Sequence, residues 1–145
     1  MNNAPFVIER TYDAPSSVVW EAITRKEKMK EWYFDLQEFR AEEGFEFEFS
    51  GGSEEKTYLH LCKVTEVVNG RKLSYSWRYE GYPGSSVVTF ELFPEGDKTR
   101  VKLTHAGLET FATDNKDFRK ESFAAGWTDI IGKNLKEYVE KKVDS

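Results

Sequence analysis

Few side chains in this sequence are equipped for chemistry, and their spacing serves none of the common reactions. His60 and His105 are the two histidines. They fall on different strand-like stretches, with no cysteine pair or close carboxylate spacing beside them, so no metal site is expected. Cys62 is the lone cysteine, which excludes an internal disulfide and agrees with a reducing compartment. Nothing near it in sequence obviously lowers its pKa, so it is read as a small half-buried side chain rather than a reactive thiol. The glycines of Gly51-Gly52 and Gly81-Tyr82-Pro83-Gly84 sit between strands and open no helix, so no phosphate loop is present. No serine stands in a Gly-x-Ser-x-Gly elbow. His105 keeps parity with Val101 and Leu103 and is therefore expected to face inward. There it could bond a ligand's polar head or act as acid or base, since an ordinary histidine titrates near pH ~6.5. The competing reading is a structural histidine bonded to the loop at residues 107–116, and it is favoured because no second catalytic group accompanies it. No catalytic residue, metal or cofactor is nominated, and the chain leans away from being an enzyme.

What the sequence has in quantity is aromatic surface: 4 Trp, 7 Tyr and 11 Phe in 145 residues. The element expected to organise these rings is a last long helix at residues 117–142. Its apolar stripe of Phe123, Gly126, Trp127, Ile130, Ile131, Leu135 and Tyr138 steps by threes and fours. A stripe with three aromatics needs a large apolar partner, and the preceding chain is mostly strand, so the helix is expected to lie across a sheet. A glycine in mid-helix costs about 1 kcal/mol relative to alanine. Gly126 is therefore expected to permit a close approach, or space for a ligand, beside Trp127.

The strands come in order. Residues 6–12 alternate as a first strand; Pro15 with Ser16 or Ser17 opens a short helix whose inner side is Val19, Trp20 and Ile23. A second short helix starts near Lys26 with Met29, Trp32 and Tyr33 on one face. Gly44 to Phe49 alternates strictly, placing three Phe on one side. Gly51-Gly52-Ser53 is expected to close a hairpin into residues 56–68, and Asn69-Gly70 to close the next through a type I′ turn. Residues 72–80 set Leu73, Tyr75, Trp77 and Tyr79 on one face, with Ser74, Ser76 and Arg78 on the face toward solvent. Residues 86–93 present Val88, Phe90 and Leu92, and residues 99–105 present Val101, Leu103 and His105. An antiparallel meander follows. Asp114 or Asp117 is a candidate cap for the last helix.

The rings that should converge define a candidate pocket. The sheet supplies Phe47, Tyr75, Trp77, Tyr79, Phe90 and His105. The helices supply Trp32, Phe123, Trp127 and Ile131. Open space among these rings would hold a hydrophobic ligand with few polar groups to orient it, whereas rings in mutual contact would make a close-packed core. With 26 acidic and 21 basic residues the formal charge is -5 and no basic block occurs, so nucleic acid is a poor partner. No run is apolar and long enough for membrane insertion or a signal peptide, so one cytoplasmic domain is expected over residues 1–145.

The order strand, two short helices, a run of strands and a long terminal helix is the plan of the helix-grip fold. This is an α+β architecture in which a curved antiparallel sheet of about seven strands clasps the last helix. Ala14-Pro15 before Val19-Trp20 and Ala22-Ile23-Thr24 is the first piece of a more specific pattern. Trp32, Leu73 with Ser76-Trp77, Leu103-Thr104-His105 with Gly107-Leu108, and Gly126-Trp127 with Leu135 complete it. Together they resemble the Hsp90-ATPase-activator-homologue group of the START-like (SRPBCC, Bet v 1-like) superfamily, from about Phe6 to Tyr138. Members often carry paired glycines where this chain has Glu43-Gly44, and a glycine where it has Cys62; both changes bear on strand bulges or cavity width. The resemblance implies a small hydrophobic or amphipathic ligand between helix and sheet. It offers two alternatives, an Hsp90-type chaperone as protein partner or a cyclase or hydratase activity. Eukaryotic activators of this group carry a separate amino-terminal domain, for which 145 residues are expected to leave no room.

Overall fold

The computed structural model describes residues 5–32, 39–52, 57–111 and 120–143. Six strands form one antiparallel sheet: β1 (Phe6–Tyr12), β2 (Glu46–Gly52), β3 (Thr57–Val68), β4 (Lys72–Tyr79), β5 (Ser86–Glu95) and β6 (Lys98–Ala106). Their order across the sheet is β1-β6-β5-β4-β3-β2, so each consecutive pair from β2 to β6 is a neighbour pair and β1 closes on the far edge beside β6. About seven strands are expected from the sequence; the described residues hold these six. Between β1 and β2 the chain forms α1 (Ser16–Thr24) and α2 (Lys26–Trp32). After β6 comes a 3-10 turn, Leu108–Thr110, the one short helical turn expected within residues 107–116. The chain ends in α3 (Lys120–Asp129), a π-helical turn (Ile130–Asn134) and α4 (Leu135–Val143).

Alternation decides which face each strand buries. On β4, Leu73, Tyr75, Trp77 and Tyr79 are buried while Arg78 is exposed, as the two-residue period requires. Ser74 keeps to the outer face but is buried there rather than open to solvent, its hydroxyl paired with cross-strand Thr89 Oγ1 at 2.9 Å. On β3, Tyr58, His60, Cys62 and Val64 point inward, until a bulge between Val64 and Glu66 shifts the parity and pairs Val67 with Leu73. Cys62 is buried rather than half-buried, and burial pushes its thiol pKa up, which keeps it protonated and inert.

Three local expectations change. The β3–β4 connection is a three-residue loop closed by Arg71 N–H to Val68 O at 2.9 Å, and positive φ occurs only at Gly70, so the turn is not type I′. At α1 neither Ser16 nor Ser17 caps the helix. Pro15 is the N-cap and makes no side-chain bond, while its carbonyl accepts from the Val18 and Val19 amides. The buried side of α1 is Val19, Ala22 and Ile23, with Trp20 only half-buried. The hairpin expected at Gly51-Gly52-Ser53 forms, with Gly52 opposite Thr57, while its turn at Ser53, Tyr33 and the candidate caps Asp114 and Asp117 lie outside the described residues.

The last helix does not run as one α-helix. Its buried residues are Phe123, Trp127, Ile131, Leu135 and Val139, spaced by four throughout. In an ideal α-helix every four-residue step drifts by about 40°, so five such positions could not share one face. The π turn removes the drift: Leu135 N–H donates to Ile130 O, five residues back, and the wider turn returns Leu135 to the stripe. Tyr12, fully buried at the end of β1, donates its hydroxyl to Ile131 O at 2.5 Å inside that turn. Farther along, Glu140 accepts Asp13 N–H at 2.9 Å and Lys136 Nζ at 2.7 Å, tying α4 to the β1–α1 corner.

Gly126 does not approach the sheet. It is exposed, and a Cβ built on it would meet nothing within 4 Å. Ile130 and Tyr138 are half-buried flanks of the stripe. Gly84 is the glycine the packing demands. At φ +107° a Cβ there would come within 2.5 Å of the Phe111 ring and 2.7 Å of Thr110 O.

Candidate functional site

Phe47, Tyr75, Trp77, Tyr79, Phe90, His105, Phe123 and Trp127 form one continuous set of ring contacts across the inner face. On the sheet, Phe47 meets Tyr75 edge-on at 5.2 Å, and Tyr75 reaches Trp77 at 6.5 Å and Phe90 at 6.2 Å. From the helix, Trp127 contacts Trp77 at 5.8 Å and Phe90 at 6.1 Å, and Phe123 meets His105 at 5.2 Å. Tyr79 closes the set against Trp77 at 6.3 Å and Phe111 at 5.5 Å. The rings expected around Trp127 therefore meet, which is the close-packed arrangement of the two that the sequence leaves open.

The remaining two candidates stand differently. Trp32 is buried on α2 and gives its indole N–H to Ala22 O at 2.9 Å, which ties α2 to α1. Ile131 is buried one turn beyond Trp127, and its carbonyl serves Tyr12.

His105 has no exposed surface and is held from two sides. Trp127 Nε1–H donates to its Nδ1 at 2.9 Å, and Nε2 lies 2.7 Å from Ser86 Oγ. An indole nitrogen can only donate, so Nδ1 is the bare nitrogen and the ring hydrogen sits on Nε2. That hydrogen goes to Ser86 Oγ, which in turn donates to Trp77 O at 3.2 Å. One directed chain thus runs from α3 through β6 and β5 to β4. Burial pulls the His105 pKa down to about 3. The loop bond expected for a structural His105 is replaced by these bonds to Ser86 and Trp127. Its ring is structural, and with Nδ1 already accepting from Trp127 it has no free lone pair with which to act as a base.

His60 is the inward residue that the sequence reading overlooks. Its ring stacks on Phe49 at 4.5 Å and meets Trp77 at 4.9 Å and Tyr79 at 4.7 Å, while its Nδ1 lies 3.0 Å from Tyr58 O. Burial brings its pKa down to about 4, against an opposing pull from the Tyr58 and Phe49 carbonyls. Parity with Tyr58, Cys62 and Val64 was the available signal. Ser86 likewise shares parity with Val88 and Phe90.

Trp77 lies between the two histidines, 4.9 Å from the His60 ring and 5.4 Å from that of His105. It is 5% exposed, and its Nε1–H is a buried donor with no acceptor among the described residues. Such a group normally costs about 1–3 kcal/mol. It is the one polar atom on this face whose bonding is left incomplete within the described residues.

Among the described residues no three His, Cys, Asp or Glu side chains gather as metal ligands, and no helix is long and apolar enough to cross a membrane. A separate cleft of about 220 Å³ is lined by Val18 and Glu21 of α1, Lys28 of α2 and Tyr138 of α4. Burial and the nearby Glu31, Glu21 and Glu27 raise the Tyr138 pKa. None of the ten candidate residues lines that cleft.

Solved structures with the same architecture are numerous. CV1439 from Chromobacterium violaceum superposes with a TM-score of 0.78 at 21% identity, covering 97% of this chain and 99% of that one. CalU16 from Micromonospora echinospora gives 0.68 at 26% identity over 93% of this chain and 73% of that one. DynU16, from the dynemicin biosynthetic locus, gives 0.77 at 19% identity; this chain covers 48% of its length, about half. No curated protein matches the sequence. The family model for activator of Hsp90 ATPase homologue 1-like proteins matches residues 13–140. With that match over most of its length, and with the helix-grip architecture around it, the chain belongs to the activator of Hsp90 ATPase homologue 1-like family of the START-like superfamily.

Proposed function

We propose that this chain is a non-catalytic binding domain for a small hydrophobic or amphipathic molecule held between the last helix and the sheet. The observation that carries this reading is the Trp77 indole N–H, buried among aromatic rings with no acceptor within the described residues. A purely structural core has no use for an unpaired donor at its centre, whereas a binding site needs one polar point to orient an apolar guest. The ring contacts around it do not bar a guest. A guest enters by displacing a neighbouring side chain, which gives up its ring contact, about 0.5–1.5 kcal/mol beyond the area it buries, and the burial of that area with it. Both buried histidines are held neutral, so neither supplies the ready proton exchange that a cyclase or hydratase would require.

Native mass spectrometry of gently purified protein, followed by a thermal-shift screen of lipids and aromatic compounds, tests the proposal. A bound mass or a concentration-dependent rise in Tm is expected. No bound mass and no shift with any apolar class overturns it.

The family description favours one second reading, a chaperone-linked interaction through the outer surface. An Hsp90-type ATPase assay separates the two: stimulation that persists when the interior is altered by Trp77→Phe supports the interaction reading, and an unchanged rate at saturating protein removes it.

A further inference from the structure

We infer that the polar end of the bound molecule is an uncharged hydrogen-bond acceptor, a ketone, ester or amide oxygen, received by the Trp77 indole N–H. The inference rests on the binding reading above and specifies the chemistry of its ligand. An indole nitrogen offers one hydrogen and no lone pair, so whatever completes it must be an acceptor. The neighbouring rings do not supply one: the Nδ1 of His105 already receives the Trp127 indole, and its Nε2 carries the hydrogen directed at Ser86. On the other side, the Nδ1 of His60 faces the Tyr58 carbonyl, and neither the second nitrogen of that ring nor the hydroxyl of Tyr75 or Tyr79 bonds the Trp77 indole.

The same surroundings exclude a charged end. The rings in contact with Trp77 are Phe49, His60, Tyr75, Tyr79, His105 and Trp127. None carries a charge while both imidazoles are neutral. A carboxylate placed there would lose its hydration for a single hydrogen bond and no cation, an exchange that strongly disfavours the ionised form. A cation would gain ring contacts but would leave the indole hydrogen still unpaired. A neutral carbonyl satisfies the donor and demands nothing further.

Three probes of one shape separate these cases: 2-acetylnaphthalene, 2-ethylnaphthalene and 2-naphthoate, titrated calorimetrically into the full chain. The ketone should bind about three- to tenfold tighter than the ethyl compound, the worth of one net hydrogen bond, and the carboxylate more weakly than either. In the wild-type protein, the ¹⁵N-labelled indole resonance of Trp77 should move downfield with the ketone and stay with the ethyl compound, a readout that needs no variant to fold. Trp77→Phe should abolish the ketone's advantage while keeping affinity for the ethyl compound. Equal affinities for ketone and ethyl compound, with the Trp77 resonance unmoved, overturn the inference and leave the apolar site standing; tightest binding of 2-naphthoate overturns it in favour of a charged end. Binding of none of the three overturns this inference together with the reading on which it rests.

Discussion

Trp127 Nε1 donates to His105 Nδ1 across 2.9 Å of fully enclosed interior, and that single bond fixes both the rotation of the last helix and the tautomer of the histidine. The donor comes from α3 and the acceptor from β6. Because an indole has no alternative role, the bond cannot reverse, and the remaining hydrogen of His105 must go to Ser86 and onward to the Trp77 carbonyl. The inner face therefore contains a polar seam whose members are each satisfied, lying against a second indole that is not.

Breaking the seam at its source should be costly. Trp127→Phe removes the donor, leaves the Nδ1 lone pair buried without a partner, and vacates part of the space between Trp77 and Phe90. We expect a loss of about 2–4 kcal/mol in urea unfolding, combining an unsatisfied acceptor with a partial cavity. A loss below about 1 kcal/mol would show that the bond is not formed in solution.

The two buried histidines give stability a defined pH dependence. Their folded pKa values, about 3 for His105 and about 4 for His60, lie below the unfolded value of 6.5. Below that unfolded value the open chain binds more protons than the folded one, so unfolding gains protons and stability falls as pH falls. The contribution is complete above pH ~6.5 and drains away toward the folded values, at up to about 1.4 kcal/mol per pH unit for each histidine. Imidazole ¹⁵N spectra should show both rings neutral down to pH ~5, with His105 protonated on Nε2. A ring titrating with a midpoint near 6.5 in the folded protein would refute the buried, bonded arrangement.

How much of this was readable beforehand depends on the length scale of each feature. The inward set Tyr75, Trp77, Tyr79 and Phe90 follows from a two-residue alternation that no sheet can evade, and the pairing of Phe123 with Trp127 follows from helical spacing. The partner of His105 does not follow, because Ser86 and Trp127 are brought to it by strand register and helix rotation, which are long-range. The π turn is disguised for a related reason: a strict four-residue spacing looks like an ordinary stripe until its accumulated drift is counted. His60 shares parity with Tyr58 and Cys62, but its stack on Phe49 depends on the register between β2 and β3, which is again long-range. At Gly126 the close approach does not occur, because a mid-helix glycine signals either close packing or mere tolerance and its spacing is the same in both cases.

Tyr12 offers a direct test of the π turn. Its hydroxyl meets the Ile131 carbonyl within the widened turn, and burial raises the tyrosine pKa, so the group stays protonated and donating. Tyr12→Phe keeps the ring and removes only that bond. A loss of about 1–3 kcal/mol is expected, since the buried carbonyl loses a partner. Amide exchange should accelerate at residues 130–135 relative to α4. Uniform exchange along the helix would indicate that Tyr12 does not hold the turn.

Gly126 and Gly84 should respond to alanine in opposite directions. At Gly126 the helix is exposed and an added methyl meets open space, so Gly126→Ala should stabilise by about 0.5–1 kcal/mol through backbone entropy alone. If the glycine instead admitted a ligand beside Trp127, alanine would leave stability raised but weaken binding of the naphthyl ketone; the open geometry predicts no change in that affinity. At Gly84 the backbone lies at φ +107° and the methyl collides with Phe111 and the Thr110 carbonyl, so Gly84→Ala should lose at least about 1–2 kcal/mol. The collision is with backbone as well as a ring, and relief requires moving the Leu108–Thr110 turn, to which Ser85 is bonded through its N–H to Thr110 Oγ1 at 2.8 Å. Phe111 stacks on Phe123 at 5.7 Å, so the displacement would reach α3 and should appear as a change in the near-ultraviolet circular dichroism of the aromatic interior. An unchanged spectrum with unchanged stability would mean that the Gly84 turn does not press on Phe111 in the way the geometry requires.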